Sequence, residues 1–350
     1  MIYDACAGQE GGAPVGVKKL NLAADLYGCP NRCLHCWLGH MPNRDMGPEA
    51  DRFIVDYFAP YFDELAFYSW LREPDFCKDY RARWARDLAL SKNAAPERFE
   101  LAGFWRIARD EDYVPFLRSL GVKKVQLSFF GLRDTQDRYV GRRGAFDEVL
   151  AATDRLIDGG LIPRWQCVIN EENREELVQV LAMAEALRRS RCPALEFFVH
   201  EGSCDGENRK LYPIRIRRGR VPPALLPFYL NYGALRTEAE CRESLLADRA
   251  HPEFPLGEEL TLYVSNEFEV FYNFTEMSRP WVIGNLKREP PEHLVPRILA
   301  GDTPALRAAG ETTWAALAEE FGDPASDRLF HPEDYRQFLF NEYLARRAGA

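Results

Sequence analysis

Three cysteines fall within eight residues in the segment Cys29-Pro30-Asn31-Arg32-Cys33-Leu34-His35-Cys36. Thiolates are the usual protein ligands of iron-sulfur clusters, and a [4Fe-4S] cube that only carries electrons normally takes four of them. Three ligands hold three corners and leave the fourth iron open to a bound molecule, so the spacing points to chemistry at the cluster. The same thiols with His35 or His40 also make up a Cys3His zinc set. Structural zinc sites, however, usually draw their ligands in pairs from two separated knuckles, and no second group of closely spaced cysteines follows Cys36. The other six, Cys6, Cys77, Cys167, Cys192, Cys204 and Cys241, are scattered singly. An odd total of nine without a secretory signal favours reduced thiols over a disulfide framework. The same scatter speaks against an auxiliary cluster.

A loop of this kind needs a frame. Along the chain, short β-like runs alternate with longer helical ones. Residues 19–24 read as a strand directly before the cysteines, 51–65 as a helix before a strand at 66–68, 80–90 as a helix and 98–101 as a strand. Residues 112–120 are apolar on one face and stop at Gly121, a good C-cap; 122–130 are β-branched and aromatic. Phe146, Val149, Leu150, Thr153, Leu156 and Ile157 recur at helical spacing. A strand at 162–169, a helix carrying Leu177 to Leu187 and a strand at 194–199 follow. Repeated strand, helix, strand order predicts a parallel sheet with right-handed crossovers and helices outside. Sites in such folds gather at the C-terminal ends of the strands, the face on which a loop following the first strand lies.

After Gly202 the pattern changes. Arg215, Arg217, Arg218 and Arg220 crowd a polar stretch that reads as a solvated face, a hairpin is expected over 260–274, and two helices follow near 313–320 and 332–346. The expected architecture is therefore α/β: an incomplete parallel (β/α)6 TIM-like barrel over 17–204, a small α+β C-terminal cap over 205–350, and a flexible N-terminus over 1–16. The balance of 45 basic and 54 acidic residues, formally -9, disfavours nonspecific nucleic-acid or anionic-membrane partners. No apolar run approaches the ~20 residues that span a bilayer, and residues 1–16 have neither the basic nor the apolar region of a signal peptide. A cytoplasmic protein is expected.

The spacing of Cys29, Cys33 and Cys36, Cys-x3-Cys-x2-Cys just after the first strand, resembles the signature of the radical S-adenosylmethionine (SAM) superfamily, and the order of elements along roughly the first two hundred residues resembles it too. The resemblance implies one [4Fe-4S] cluster whose open iron is chelated by SAM, and reductive cleavage of SAM to a 5'-deoxyadenosyl radical. It also implies roles for single residues. His35 stands where the family usually has an aromatic residue beside the adenine. Glu73, in Ser69-Trp70-Leu71-Arg72-Glu73-Pro74, matches the carboxylate of a Gly-Gly-Glu motif beside the SAM amino group, with Leu71 and Arg72 in place of the glycines. Ser128, in Val125-Gln126-Leu127-Ser128, resembles a serine facing the ribose and methionine carboxylate; strand alternation puts Gln126 on the same face. In the run 137–146 the resemblance implies an arginine paired with that carboxylate, Arg143 ahead of Arg142, a role for which a guanidinium has the right fork geometry. Asn170 resembles a polar position that contacts the ribose. Cys204, at the expected end of the sixth strand, is a candidate hydrogen-atom donor such as some members use to invert a carbon centre. The C-terminal third resembles the SPASM or twitch extension, with Tyr272, Asn273 and Phe274 where its cluster cysteines would begin.

The expected function is thus abstraction of a hydrogen atom from a small-molecule substrate, in specialised metabolism, with a reducing partner such as flavodoxin or ferredoxin. Modification of a peptide or protein is the second reading. A metal-binding or electron-transfer module without catalysis is the reading from another class.

Overall fold

The computed structural model describes residues 16–39, 41–204, 206–254, 257–273 and 275–349. Cys6, His40 and Phe274 lie outside the described residues, as does all but Gly16 of the expected flexible segment. Among the described residues no helix is long and apolar enough to cross a membrane.

β1 (Lys19–Ala24) alternates half-buried Lys19, Asn21 and Ala23 with buried Leu20, Leu22 and Ala24. The buried set packs outward against Ile54, Val55 and Phe58 of α1 (Gly47–Phe58) and Leu65 and Phe67 of β2 (Glu64–Tyr68). The half-buried set faces the interior. α1 starts and ends earlier than its pattern suggests, because Pro48 sits in its first turn and Pro60 closes it into a short 3-10 turn, and proline fits an opening turn but disfavours helix before it. β1 and β2 are parallel, with Ala23 opposite Tyr68.

α2 (Tyr80–Leu90), α3 (Phe104–Arg109) and α4 (Tyr113–Ser119) lead to β3 (Lys124–Phe129). Then come α5 (Arg133–Val140), α6 (Ala145–Asp158), β4 (Ile162–Val168), α7 (Arg174–Ser190) and β5 (Glu196–His200). β3, β4 and β5 form a second, all-parallel sheet. Its outward residues Val125, Leu127, Phe129, Trp165, Cys167 and Val199 pack with Val149 and Leu156 of α6 and Val180 of α7. The strand expected at 98–101 is reduced to one bridge, Leu101 to Gln126, with the Gln126 N–H donating to Glu100 O at 2.8 Å. Ala95, Glu97, Phe99 and Leu101 still face the interior in turn. The segment keeps a strand's alternation without its ladder, and the barrel stays incomplete there.

The C-terminal part holds β6 (Arg236–Thr237), α8 (Glu238–Leu245), β7 (Glu259–Val264), β8 (Glu269–Tyr272), β9 (Gly284–Asn285), α9 (Pro291–Leu299), α10 (Pro304–Ala309), α11 (Trp314–Phe321), β10 (Leu329–Phe330) and α12 (Pro332–Gly349). Thr237 and Glu240 form a reciprocal capping box at the start of α8, which satisfies donors the first helical turn leaves open. β7 and β8 make the expected antiparallel hairpin. Its turn uses Phe268 at φ 63° in place of a glycine, held by Ser265 Oγ accepting from the N–H groups of Glu267 and Glu269. The hairpin does not stand apart: β7 pairs in parallel with β1 along its whole length, giving the order β2-β1-β7-β8-β9. Part of the region assigned to the cap thereby becomes a wall of the barrel.

Candidate active site at the strand ends

The chain leaves β1 and enters the cysteine loop through Gly28, whose φ of 135° few other residues adopt and where a Cβ would lie 2.1 Å from Asn43 Oδ1. Asn43 uses that proximity. Its Oδ1 accepts from the Cys29 N–H at 3.0 Å, and its Nδ2 donates to Cys29 O at 3.0 Å. Further on, the N–H groups of Arg32 and Leu34 donate to Val140 O and Tyr139 O at the end of α5, at 2.9 and 2.8 Å. Gly141 follows because Arg32 O comes within 2.6 Å of where its Cβ would be. At the last cysteine, buried Asn208 accepts from Ser203 Oγ at 2.6 Å and donates to His35 O and Cys36 O at 3.0 and 3.1 Å.

Arg72, in the place of a glycine of the expected motif, braces the exit of the loop. Its Nε donates to Asp25 Oδ1 at 3.0 Å and its Nη2 pairs with Asp25 Oδ2 at 2.9 Å, while Nη1 and Nη2 donate to Met41 O and Pro42 O at 2.7 and 3.1 Å. The guanidinium geometry, planar with five donors, suits this four-way task.

Cys29, Cys33 and Cys36 line one end of a cavity of about 1280 Å3. Burial, then the neighbouring Cys36, pushes the Cys33 thiol up to about 12; burial and Glu73 hold Cys29 above the usual thiol range, and burial raises Cys36. Thiolates in so dry a place form when a metal centre supplies the compensating charge. Among the described residues no three His, Cys, Asp or Glu side chains stand close enough to hold a single metal ion. The three thiols line one cavity, and three soft donors on a cavity surface suit a cluster held at three corners.

Glu73 sits in the same wall. Its Oε1 accepts from Trp105 Nε1 at 2.9 Å and its Oε2 lies 3.8 Å from Cys29 Sγ. Burial pushes its carboxyl up to about 7, with the indole N–H working against the shift. His35 also lines the cavity, tilted against Phe130 with ring centres 4.3 Å apart, and burial lowers its pKa to about 3, so the ring is neutral. Ser128 and Gln126 face the cavity together from β3. Two further residues line the cavity to which the sequence reading gave no role. Gln166 stands opposite Ser128 on β4, and its side chain meets Nε2 of His200 on β5. His200 Nδ1 accepts from the Gly202 N–H at 3.1 Å, which leaves the ring proton on Nε2. Strand alternation alone marks both as inward, but glutamine and histidine at strand positions carry no signal of their own.

Three expected residues are not on the cavity wall. Arg143 is exposed: the chain turns tightly between Gly141 and Gly144, both at positive φ, and the two arginines part. It is Arg142 that reaches the cysteine loop, its Nε donating to Asn31 Oδ1 at 3.0 Å and its Nη2 pairing with Glu148 at 2.5 Å. Asn170 is spent on structure, its Oδ1 accepting from the N–H groups of Glu172 and Asn173 and its Nδ2 donating to Tyr139 Oη at 2.8 Å. Cys204 is buried in the apolar cluster of Cys241, Phe271, Trp281 and Phe330. Gly202, at φ 68°, turns the chain so that Gly202 and Ser203 face the cavity and Cys204 does not. Missed in the sequence were Asn43, Asn208 and Trp105, each tied to the site through a hydrogen bond that spans 14 or more residues.

No family model matches the chain. A curated relative, the Fe-coproporphyrin III synthase of Methanosarcina barkeri (strain Fusaro / DSM 804), is 22% identical over 175 residues, which cover 49% of this chain and 41% of that protein. The match thus spans less than half of the relative. Among solved structures, native anSMEcpe with bound AdoMet and Cp18Cys peptide superposes with a TM-score of 0.50 at 12% identity, over 95% of this chain and 99% of that one. Native anSMEcpe with bound AdoMet superposes equally, at 0.50 and 12%, over 94% and 99%. With the three-cysteine loop set over the ends of parallel strands in an incomplete barrel, the chain shares the fold of these AdoMet-bound structures.

Proposed function

We propose that this chain is a radical SAM enzyme that removes a hydrogen atom from a small-molecule substrate held inside the barrel. The observation that carries this reading is that Cys29, Cys33, Cys36 and Glu73 line one cavity together with the polar side chains of Asn21, Gln126, Ser128 and Gln166. When bound, a reduced [4Fe-4S] cluster with SAM supplies a 5'-deoxyadenosyl radical for that step. The residues of the chain bind, orient and shield. Cys29, Cys33 and Cys36 would hold three irons of the cluster. Glu73 accepts a charge-assisted hydrogen bond from the SAM ammonium. His35, flat and neutral, would lie beside the adenine, and Ser128 would face the ribose. Asn21, Gln126, Gln166 and Thr261 line the remaining space and give the substrate donors and acceptors. A one-electron carrier such as flavodoxin or ferredoxin would supply the electron.

A peptide substrate is the second reading. The fold neighbour superposed above is named with a bound peptide. Anaerobically prepared protein is expected to be brown, to hold iron in preference to zinc, and to release 5'-deoxyadenosine from SAM on reduction. Cys33→Ala is expected to lose both the cluster and the cleavage. Colourless, zinc-saturated wild-type protein would point instead to a metal-binding module without catalysis.

A further inference from the structure

Trp105 lies 32 residues beyond Glu73 in the chain and outside the motif that contains it, yet its indole N–H donates to Glu73 Oε1 at 2.9 Å. The ring is itself fixed from behind. The Arg106 guanidinium lies over it with its carbon 4.6 Å from the ring centre, and Phe76 meets it edge-on at 6.1 Å. Arg106 is tied in turn to the backbone after Glu73, donating to Asp75 O, Phe76 O and Cys77 O at 2.7, 3.2 and 2.9 Å. Gly103 completes the clasp: it is buried, and a Cβ there would stand 2.2 Å from Glu73 Oε1 and 2.9 Å from Trp105 Nε1. One carboxylate oxygen of Glu73 is therefore occupied and sterically boxed, and the other, Oε2, is left on the cysteine side, 3.8 Å from Cys29 Sγ.

We infer that Trp105, with Gly103 leaving room for it, is a positioning residue that turns Oε2 of Glu73 toward the ammonium group of SAM. In the resembling motif a pair of glycines precedes the carboxylate; here Leu71 and Arg72 occupy those positions and Arg72 is committed to the cysteine loop. The carboxylate is instead aimed from the opposite side, by a residue at the start of α3. A carboxylate free to rotate would meet a charged donor in only part of its rotamers, and holding it in advance removes that entropic cost from binding.

The inference rests on the reading of Glu73 given above, and the test separates the two. Anaerobically reconstituted protein is titrated with SAM by calorimetry, iron per chain is counted, and the electron paramagnetic resonance spectrum of the reduced cluster is followed as SAM is added. Trp105→Phe keeps the ring and its packing and loses only the N–H. It is expected to retain full iron and to bind SAM up to about tenfold more weakly, the cost of immobilising one freed side chain on binding, with the SAM-dependent spectral change intact at saturation. Gly103→Ala is expected to weaken binding at least as much. In a Glu73→Gln background, Trp105→Phe is expected to add almost nothing, because its effect passes through the carboxylate. Unchanged SAM affinity in Trp105→Phe, an equal loss when it is combined with Glu73→Gln, or loss of the cluster from Trp105→Phe would each overturn the positioning role while leaving that of Glu73 standing. Wild-type SAM affinity in Glu73→Gln alone would overturn both.

Discussion

The cysteine loop and the β1–β7 part of the cavity wall are held in different ways. Asn43, Arg72 and Asn208 each reach across from another part of the chain and bond to backbone groups of residues 29–42. The strands β1 and β7 present side chains that pair with one another: Lys19 with Glu259 at 2.7 Å, and Asn21 with Glu259. Bonds to backbone fix the path of a loop whatever the neighbouring side chains are, which suits a wall that must hold one cofactor at a set place. Pairs of partly exposed side chains rearrange at little cost, which suits a wall that meets a substrate.

Substitutions at the two regions test this contrast, and the largest effect is expected at Arg72. Replacing it with Ala strands buried Asp25 and releases two loop carbonyls. Breaking one member of a buried ion pair costs ~3–5 kcal/mol, so Arg72→Ala should lower the denaturation midpoint sharply and reduce iron per chain. Arg72→Lys, which keeps the charge but not the fork, should fall between; normal iron loading in both variants would remove the brace. On β1, Lys19→Met breaks an ion pair whose side chains are 34% and 50% exposed. Such pairs contribute ~0–1 kcal/mol, so stability and SAM cleavage without substrate should be unchanged while substrate turnover moves. A loss of cluster in Lys19→Met would erase the distinction between the regions. The smallest change is expected for Arg143→Ala, within ~0.5 kcal/mol as for an isolated surface site and with SAM affinity as in the wild type. A tenfold weaker SAM affinity there would restore Arg143 to the site.

Regular elements were legible where a period was sustained. Helix α2 and strand β1 lie where their patterns put them, and the parallel order β3-β4-β5 follows from strand, helix, strand repetition. The run at 98–101 has the composition of a strand and the inward alternation of one, but a ladder needs a partner at the right distance along its length, and among the described residues its pairing with β3 is limited to the bridge of Leu101 to Gln126. Within the site, Cys29, Cys33, Cys36, His35, Glu73 and Ser128 do line a single cavity. Arg143, Asn170 and Cys204 do not, and each fails for a local reason: a turn between two glycines, a side chain already spent on neighbouring N–H groups, and a bend at Gly202 that sends the thiol into an apolar cluster.

From its residues alone, then, the chain determines the three thiols and their spacing, the first strand that delivers them, and the carboxylate at Glu73, because these depend on neighbours a few positions away. Tertiary structure decided which arginine faces the loop, that β7 closes against β1 from some 240 residues along the chain, and that Arg72, Asn208 and Trp105 hold the site's backbone and its carboxylate in place. Those outcomes depend on groups brought together by folding, and a hydrogen bond between distant residues leaves no periodic trace in the sequence that makes it.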